Sequence, residues 1–139
     1  MSKRKTYPRD LPASARRHLE AAEDLYHPNK RRDVAGYLYG IAAECALKAI
    51  MLESGIRPLD EDERRDDPFY AHFPQLKTLL RDALSGRLSQ PLKTYTEDDS
   101  FMTQWDTAMR YSKGSAIDPK WVDGWRKQAR EIVDAIGAT

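Results

Sequence analysis

The stretch GIAAECALKAIM, at positions 40–51, holds one carboxylate and one ammonium among apolar residues. Glu44 and Lys48 are four residues apart, so on a helix they share one face, with the acidic residue in the favourable N-terminal place. Apolar residues surround that face, which predicts that Glu44 is at least partly buried. A buried carboxylate needs a partner, either Lys48 or an arginine from another helix. The pair is interpreted either as a structural ion pair or as part of a binding site.

A second group of polar residues lies in WDTAMRYSKG, at positions 105–114. Arg110 and Lys113 come near the end of a predicted helix, where the helix dipole favours cations whatever their role. The guanidinium of Arg110 also offers a planar fork of donors that suits a phosphate or a carboxylate such as that of Glu44. Both roles stay open. The predicted ligand-binding or polar cluster consists of Glu44, Lys48, Arg110 and Tyr111.

A third candidate is the pair Arg65 and His72, which six residues separate. Acid–base cleavage of RNA needs an imidazole near a cation that holds the scissile phosphate. Spacings of this kind arise by chance in an arginine-rich chain, and Arg65 lies in an acidic stretch, so the pair is only an alternative catalytic site. We expect His72 to stabilise the start of a helix. His18 and His27 have no second ligand at a metal-binding spacing, so we expect neither a metal nor a cofactor.

These residues belong to a chain of 139 residues, a length that predicts one domain. The formal net charge of +1 combines a basic excess over residues 1–32 with an acidic excess over residues 53–67, an asymmetry that can steer a polyanion. The single cysteine, Cys45, excludes an internal disulfide, and its apolar neighbours predict that it fills the core. No hydrophobic run has the length of a signal or a membrane span, so we expect a cytoplasmic protein with no membrane association.

Apolar residues recur at helical spacing in five places, and no stretch alternates as a strand would. We therefore predict an all-α fold, an antiparallel up-and-down bundle of four main helices plus a shorter fifth. The predicted helices cover about 12–26 and 31–54, then begin at Pro74, after Thr96 (the shorter one) and at Pro119 behind an Asp118 N-cap. The helix that begins at Pro74 is predicted to carry apolar residues as far as Leu84 and Leu88, around a break at Ser85-Gly86.

The single domain covers residues 1–139, with a loosely ordered basic tail at 1–11 and a charged, mobile connector at 55–71. Three apolar residues of the second predicted helix exceed what one bundle can cover, which favours a homodimer. They are Tyr37, Tyr39 and Met51.

Three stretches, in order, carry a resemblance to a known family. They are GYLYGIAAECALKAIM, then AHFPQLKTLL about twenty residues later, then MRYSKG ahead of a final tryptophan-containing helix. By them the chain resembles the HEPN domain family (higher eukaryotes and prokaryotes nucleotide-binding) over roughly residues 12–136. The most specific element is the glutamate at position 44 with the Leu-Lys-Ala that follows it.

The resemblance implies an antiparallel helical bundle that commonly dimerises. Many members pair with a minimal nucleotidyltransferase encoded beside them, and many are ribonucleases, often toxins of toxin–antitoxin pairs, whose site is an Arg, four to six residues, then a His. This chain departs there, because no histidine follows Arg110. Arg110 and Tyr111 instead look like the family branch that carries Arg-Tyr-Pro and lacks the nuclease histidine.

We therefore expect a non-catalytic HEPN-like module that binds a nucleotide-type or other anionic ligand, a nucleotidyltransferase-like partner, or both. The alternative is an RNA-cleaving toxin of the HEPN ribonuclease type, a metal-independent enzyme that uses Arg65 and His72, or Arg110 with a base that the sequence does not identify. A third hypothesis is an interaction module that has no ligand.

Overall fold

The computed structural model describes residues 7–83 and 90–137, and within these ranges the chain is helical and contains no strand, which confirms the all-α prediction. The five α-helices are α1 (Leu11–Leu25), α2 (Arg32–Glu53), α3 (Gln75–Ala83), α4 (Gln90–Glu97) and α5 (Pro119–Asp134). Short 3-10 turns cover Glu61–Asp66, Pro68–Tyr70, Thr107–Tyr111 and Gly114–Ala116.

The long helix α2 lies at the centre and packs chiefly against α1 and α5. Its alanines at 42, 43 and 46 are fully buried, so the neighbouring helices can approach its backbone closely. Contrary to the sequence-based expectation, α2 is long and apolar enough to cross a membrane by length and composition alone. However, 67% of its apolar window is buried inside the protein, as in the core helix of a folded domain.

Local signals set the starts of α1 and α5. The carboxylate of Asp10 accepts a hydrogen bond from the backbone N–H of Ala13 at 3.0 Å, and a proline lies in the first turn of α1. Asp118 accepts one from the N–H of Lys120 at 2.9 Å, directly ahead of Pro119. The predicted N-cap and start of the last helix are therefore confirmed.

One carboxylate joins the three long helices. Glu23 of α1 accepts two hydrogen bonds at 3.0 Å from Arg126 of α5 and one at 2.9 Å from the hydroxyl of Tyr39 on α2. The bonded guanidinium holds the pKa of Glu23 below its ordinary value, because it stabilises the ionised form. These contacts hold α1, α2 and α5 together.

The fourth helix was predicted at the wrong place. It covers Gln90–Glu97 and ends next to Thr96, where the prediction has it begin. Beyond it, Asp98 accepts hydrogen bonds from the N–H and the hydroxyl of Ser100, which closes a turn. Met102 and Gln104 then adopt positive φ angles of 54° and 70°, a conformation that a right-handed helix does not allow. The predicted extension of α3 over Leu84 and Leu88 lies outside the described residues.

The connector, predicted to be a mobile loop, is held by hydrogen bonds at its C-terminal end. Asp67 is buried, and its carboxylate accepts hydrogen bonds from the N–H groups of Leu59 and Phe69 at 2.8 and 3.0 Å. Because Pro68 and Phe69 are also buried, the acidic segment closes onto the core at its C-terminal end.

The end of the predicted tail is anchored to this connector. Arg9 lies over the ring of Tyr70 at 4.6 Å and donates a hydrogen bond to the carbonyl of Phe69 at 3.5 Å. Residues 1–6 lie outside the described ranges, and α1 begins at Leu11.

The apolar surplus expected on α2 is covered within one chain. Tyr39 and Met51 are fully buried, and Tyr37 stacks on the indole of Trp105 with ring centroids 5.4 Å apart. These residues therefore give no ground for a dimer, and the homodimer stays a prediction.

Candidate functional site

The buried carboxylate of Glu44 is bonded to the segment that precedes α3. Its side chain is 3% exposed, and its Oε2 lies 2.9 Å from Nδ1 of His72. Its Oε1 accepts a hydrogen bond from the backbone N–H of Phe73 at 2.8 Å. The required partner of this carboxylate is therefore the segment of His72 and Phe73, and not Lys48 or an arginine. His72 precedes α3, and its side chain bonds Glu44; its predicted stabilisation of the helix start stays a prediction.

Burial controls the ionisation of Glu44. Removal from water raises the pKa of this carboxyl above its ordinary value, and the hydrogen bonds from His72 and Phe73 oppose that shift only in part. Where the carboxyl is ionised, Nδ1 of His72 must carry the proton and donate it to Oε2. The imidazole is then fixed in one tautomer, with its Nε2 available as an acceptor.

Lys48, one turn further along α2, is buried without a bonding partner. It is 8% exposed, and it makes no hydrogen bond and no ion pair with any residue in the ranges 7–83 and 90–137. Burial lowers the pKa of this ammonium below its ordinary value, although the nearby Glu44 opposes the shift. A cation held in this way is disfavoured in the free protein, so an anion brought beside it is stabilised.

Lys48 forms part of the wall of a cleft of about 460 Å³, which we call the Lys48 cleft. The cleft lies between the segment before α1, α1 itself, α2 and the end of the connector. Its charged and polar lining consists of Tyr7, Arg9, Asp10, Ser14, Arg17, Glu44, Cys45, Lys48 and His72. Asp10 already caps α1. Three cations from separate elements therefore face one concave surface, an arrangement that favours anions.

Arg110 and Tyr111 do not join Glu44 and Lys48. Arg110 is exposed, and its Nε donates a hydrogen bond to the carbonyl of Thr107 at 3.1 Å. Its guanidinium lies over the rings of Tyr37 and Tyr111, at 5.9 and 5.4 Å. It lines a separate cavity of about 320 Å³ near the start of α2, and Tyr111 is 83% exposed. The structure thus divides the predicted four-residue cluster into two places.

Arg65 and His72, the alternative catalytic pair, line one shallow cavity of about 460 Å³ together with Thr107. His72 also borders the Lys48 cleft, so its imidazole stands between two concave surfaces. It is half exposed, and Arg65 is exposed. Both side chains can therefore be reached from solvent.

Two cations of the cleft, Arg9 and Arg17, were not predicted from the sequence. Arg9 lies in the segment predicted to be loosely ordered, and Arg17 reads as one of several basic residues on an exposed helix face. The sequence of α1 does contain one indication of the role of Arg17. Ser14 and Arg17 are three residues apart and therefore share a face of the helix. Which other elements face them depends on packing between α1, α2 and the connector.

Three acidic side chains of the connector also lie close together. Asp60, Asp62 and Glu63 are exposed, and their carboxylates lie within 4.8 Å of one another. Exposed acidic groups of this kind are common where no ion binds, so they assign no metal site.

Comparison with protein-family models, curated proteins and solved structures gave no match for this chain. The resemblance to the HEPN family therefore stays a prediction based on the three sequence stretches.

Proposed function

We propose that this protein is a non-catalytic binding module, a helical bundle of the HEPN-like type, that holds a phosphate-bearing, nucleotide-type anion in the Lys48 cleft. The carrying observation is Lys48, a residue that is only 8% exposed and lines the cleft. Its ammonium makes no hydrogen bond or ion pair with the described residues, and because no buried side-chain nitrogen among them lacks a partner, this ammonium is open to solvent. A phosphate oxygen beside Lys48 would supply the missing charge-assisted hydrogen bonds.

The shape and charge of the cleft support a ligand of nucleotide size. Its volume of about 460 Å³ falls within the range of small-molecule sites. Arg17 can donate bidentate hydrogen bonds to a phosphate, and Lys48 acts as a point charge in the wall. Arg9, whose guanidinium lies over Tyr70 and bonds the carbonyl of Phe69, adds a further positive charge. The carboxylates of Asp10 and Glu44 cap α1 and bond His72, and neither forms an ion pair with Arg17 or Lys48 within the described residues.

Calorimetric titration with ATP, pyrophosphate and uncharged adenosine tests this proposal. We expect ATP and pyrophosphate to bind and adenosine not to bind. Lys48→Met and Arg17→Ala should each weaken ATP binding by about tenfold or more, since a hydrogen bond to a charged group contributes about 1.5–3 kcal/mol.

Arg16→Ala is the matched control, because Arg16 is an exposed neighbour of Arg17 that does not line the cleft. It should bind ATP as the wild type does. Absence of ATP and pyrophosphate binding, or wild-type affinity in both cleft variants, would refute the proposal.

A second candidate function is metal-independent RNA cleavage at His72. Two observations favour it: the carboxylate of Glu44 orients the imidazole at 2.9 Å, and Arg65 lines a cavity with the same imidazole. His72 would exchange a proton with the ribose hydroxyl, and Arg65 would hold the scissile phosphate.

Labelled RNA incubated in EDTA tests this second function. It requires cleavage that is lost in His72→Ala and in Arg65→Ala and retained in the control His27→Ala, whose side chain is exposed at the end of α1. Intact RNA with the wild-type protein would exclude it and leave the binding module.

A further inference from the structure

The thiol of Cys45 lies in the wall of the Lys48 cleft. The sequence predicts that this cysteine fills the core, but its side chain is only partly buried and lines the cleft together with Lys48. Its Sγ is 3.3 Å from the hydroxyl of Ser14, which projects from α1 into the same cleft. The thiol is therefore accessible to a molecule that enters the cleft.

The cations of the cleft select which molecules come near this thiol. Lys48 lies three residues after Cys45 on α2, so the two side chains share a face of the helix. Arg9 and Arg17 line the same cleft from the segment before α1 and from α1. The three cations outnumber the two carboxylates of the lining, Asp10 and Glu44, and an excess of one sign of charge raises the local concentration of the opposite sign. Small anionic reagents should thus accumulate beside the Cys45 sulfur, and cationic ones should be repelled.

We propose that Cys45 is a modification site that undergoes thiol–disulfide exchange with small anionic disulfides of the glutathione class, held in place by Lys48, Arg9 and Arg17. The proposal rests on the attraction for anions assigned to this cleft under the proposed function. In the cleft, the unpartnered ammonium of Lys48 supplies a binding charge that a lone cysteine would lack.

The exchange step is a direct displacement. Cys45 first loses its proton to solvent, and the thiolate attacks one sulfur of the disulfide. A new S–S bond forms to Cys45 while the original S–S bond breaks and releases one thiolate. The cysteine sulfur is oxidised and the released sulfur is reduced, so no other reagent is required.

The adduct would occupy the space assigned to the anionic ligand. One half of an anionic disulfide, attached at Cys45, places its carboxylates against the cations that would otherwise bind a phosphate. Modification and ligand binding therefore exclude each other, and a reductant that removes the adduct restores binding.

Because the chain contains one cysteine, every mixed disulfide reports on Cys45. The folded 139-residue chain is mixed with oxidised glutathione, which is anionic, or with cystamine, which is cationic, and adduct formation is followed by intact mass. Each rate is divided by the rate of the same protein in concentrated urea, which removes intrinsic differences between the reagents. We expect folding to favour oxidised glutathione over cystamine by about tenfold or more.

The preference should fall toward unity in Lys48→Met and in Arg17→Ala and persist in Arg16→Ala. Arg17 is exposed on α1, so its variant keeps the test available if Lys48→Met fails to fold. Equal normalised rates for the two reagents, or a preference that survives both cleft variants, would overturn the proposal.

Pyrophosphate separates this proposal from the proposed function. If pyrophosphate protects Cys45 from oxidised glutathione, the result supports both the modification site and the phosphate-bearing ligand. A glutathione preference without any binding of ATP or pyrophosphate would retain the modification site and reject the nucleotide-type ligand. Binding of ATP with no preference for oxidised glutathione would retain the nucleotide-type ligand and reject the modification site.

Discussion

Glu44 shows how one buried carboxylate can connect distant parts of a chain. Its partners, His72 and the N–H of Phe73, lie 28 and 29 residues away in sequence. The sequence predicted burial and the need for a partner, because both follow from the apolar face of α2. It did not predict the partner, because the choice among His72, Lys48 and the arginines depends on how the connector folds back.

The buried Glu44 should make stability depend on pH. Its folded-state pKa is raised above the ordinary value of 4.5, so the folded state binds more protons than the unfolded state as pH rises through and above 4.5. Stability from this group is therefore lost in that interval. Glu44→Gln keeps the shape and cannot ionise, so its melting temperature should fall less than that of the wild type between pH 4 and pH 7.

Thermal unfolding of the two proteins across this range measures the difference. Glu97→Gln, at an exposed carboxylate in the last turn of α4, is a suitable control and should follow the wild type. A wild type that gains stability relative to Glu44→Gln as pH rises would contradict the burial argument.

Lys48 should lower stability at neutral pH. Its folded-state pKa lies below the ordinary 10.5, so the unfolded state binds more protons just below pH 10.5, and stability rises with pH there. Lys48→Met removes a buried charge that has no bonding partner. We expect it to stabilise the protein at pH 7 by about 1 kcal/mol, in the range found when buried charges are replaced by apolar side chains.

Chemical denaturation at pH 7 checks this value and decides between the two interpretations of the Glu44–Lys48 spacing. A gain in stability together with a loss of ATP binding indicates a binding residue. A loss of stability would indicate a structural pair with Glu44.

Helix boundaries were predictable where the signal is local. The N-cap and proline that begin α5 lie within two residues of each other, and the structure uses them as predicted. The fourth helix was predicted at the wrong place because Met102 and Gln104 adopt a left-handed conformation. Their residue types do not predict that conformation. That conformation turns the chain so that Trp105 reaches α2, where its indole N–H donates to the carbonyl of Gly36 at 3.1 Å.

Contact between Trp105 and α2 requires a glycine at position 40. A Cβ on Gly40 would overlap the indole ring, so Gly40→Ala should destabilise the protein by about 1–3 kcal/mol, as overpacking does. Gly124 of α5 is the control, because a Cβ there meets nothing within 4 Å. Gly124→Ala should stabilise by about 0.5–1 kcal/mol through helix propensity.

Urea unfolding of the two variants gives both values. The same sign in both would mean that the packing of Trp105 on Gly40 does not control the stability of α2.

At the scale of the whole molecule, most apolar side chains are covered within one chain, but some remain exposed near the start of α2. Val34 lines the cavity beside Arg110, and Tyr111 lies against the same arginine. Both are exposed, so we propose this surface as the interface of the predicted homodimer.

Sedimentation velocity tests this assignment. Tyr111→Glu should weaken dimerisation by about tenfold or more, because aromatic side chains at the centre of an interface contribute about 2 kcal/mol. Leu59→Glu, at an exposed apolar residue of the connector, should leave it unchanged. A wild-type protein that sediments as a monomer at all concentrations would exclude the homodimer.

The burial of the indole rings has a spectroscopic consequence. Trp105 and Trp125 are buried and Trp121 is partly exposed; none of these three lines the Lys48 cleft as the structure describes it. Their fluorescence will shift strongly to the red when the fold opens, and a bound anion will not contact them directly. Emission can thus follow unfolding at any ligand concentration, and the shift of the transition midpoint with concentration gives the ligand's affinity from stability alone.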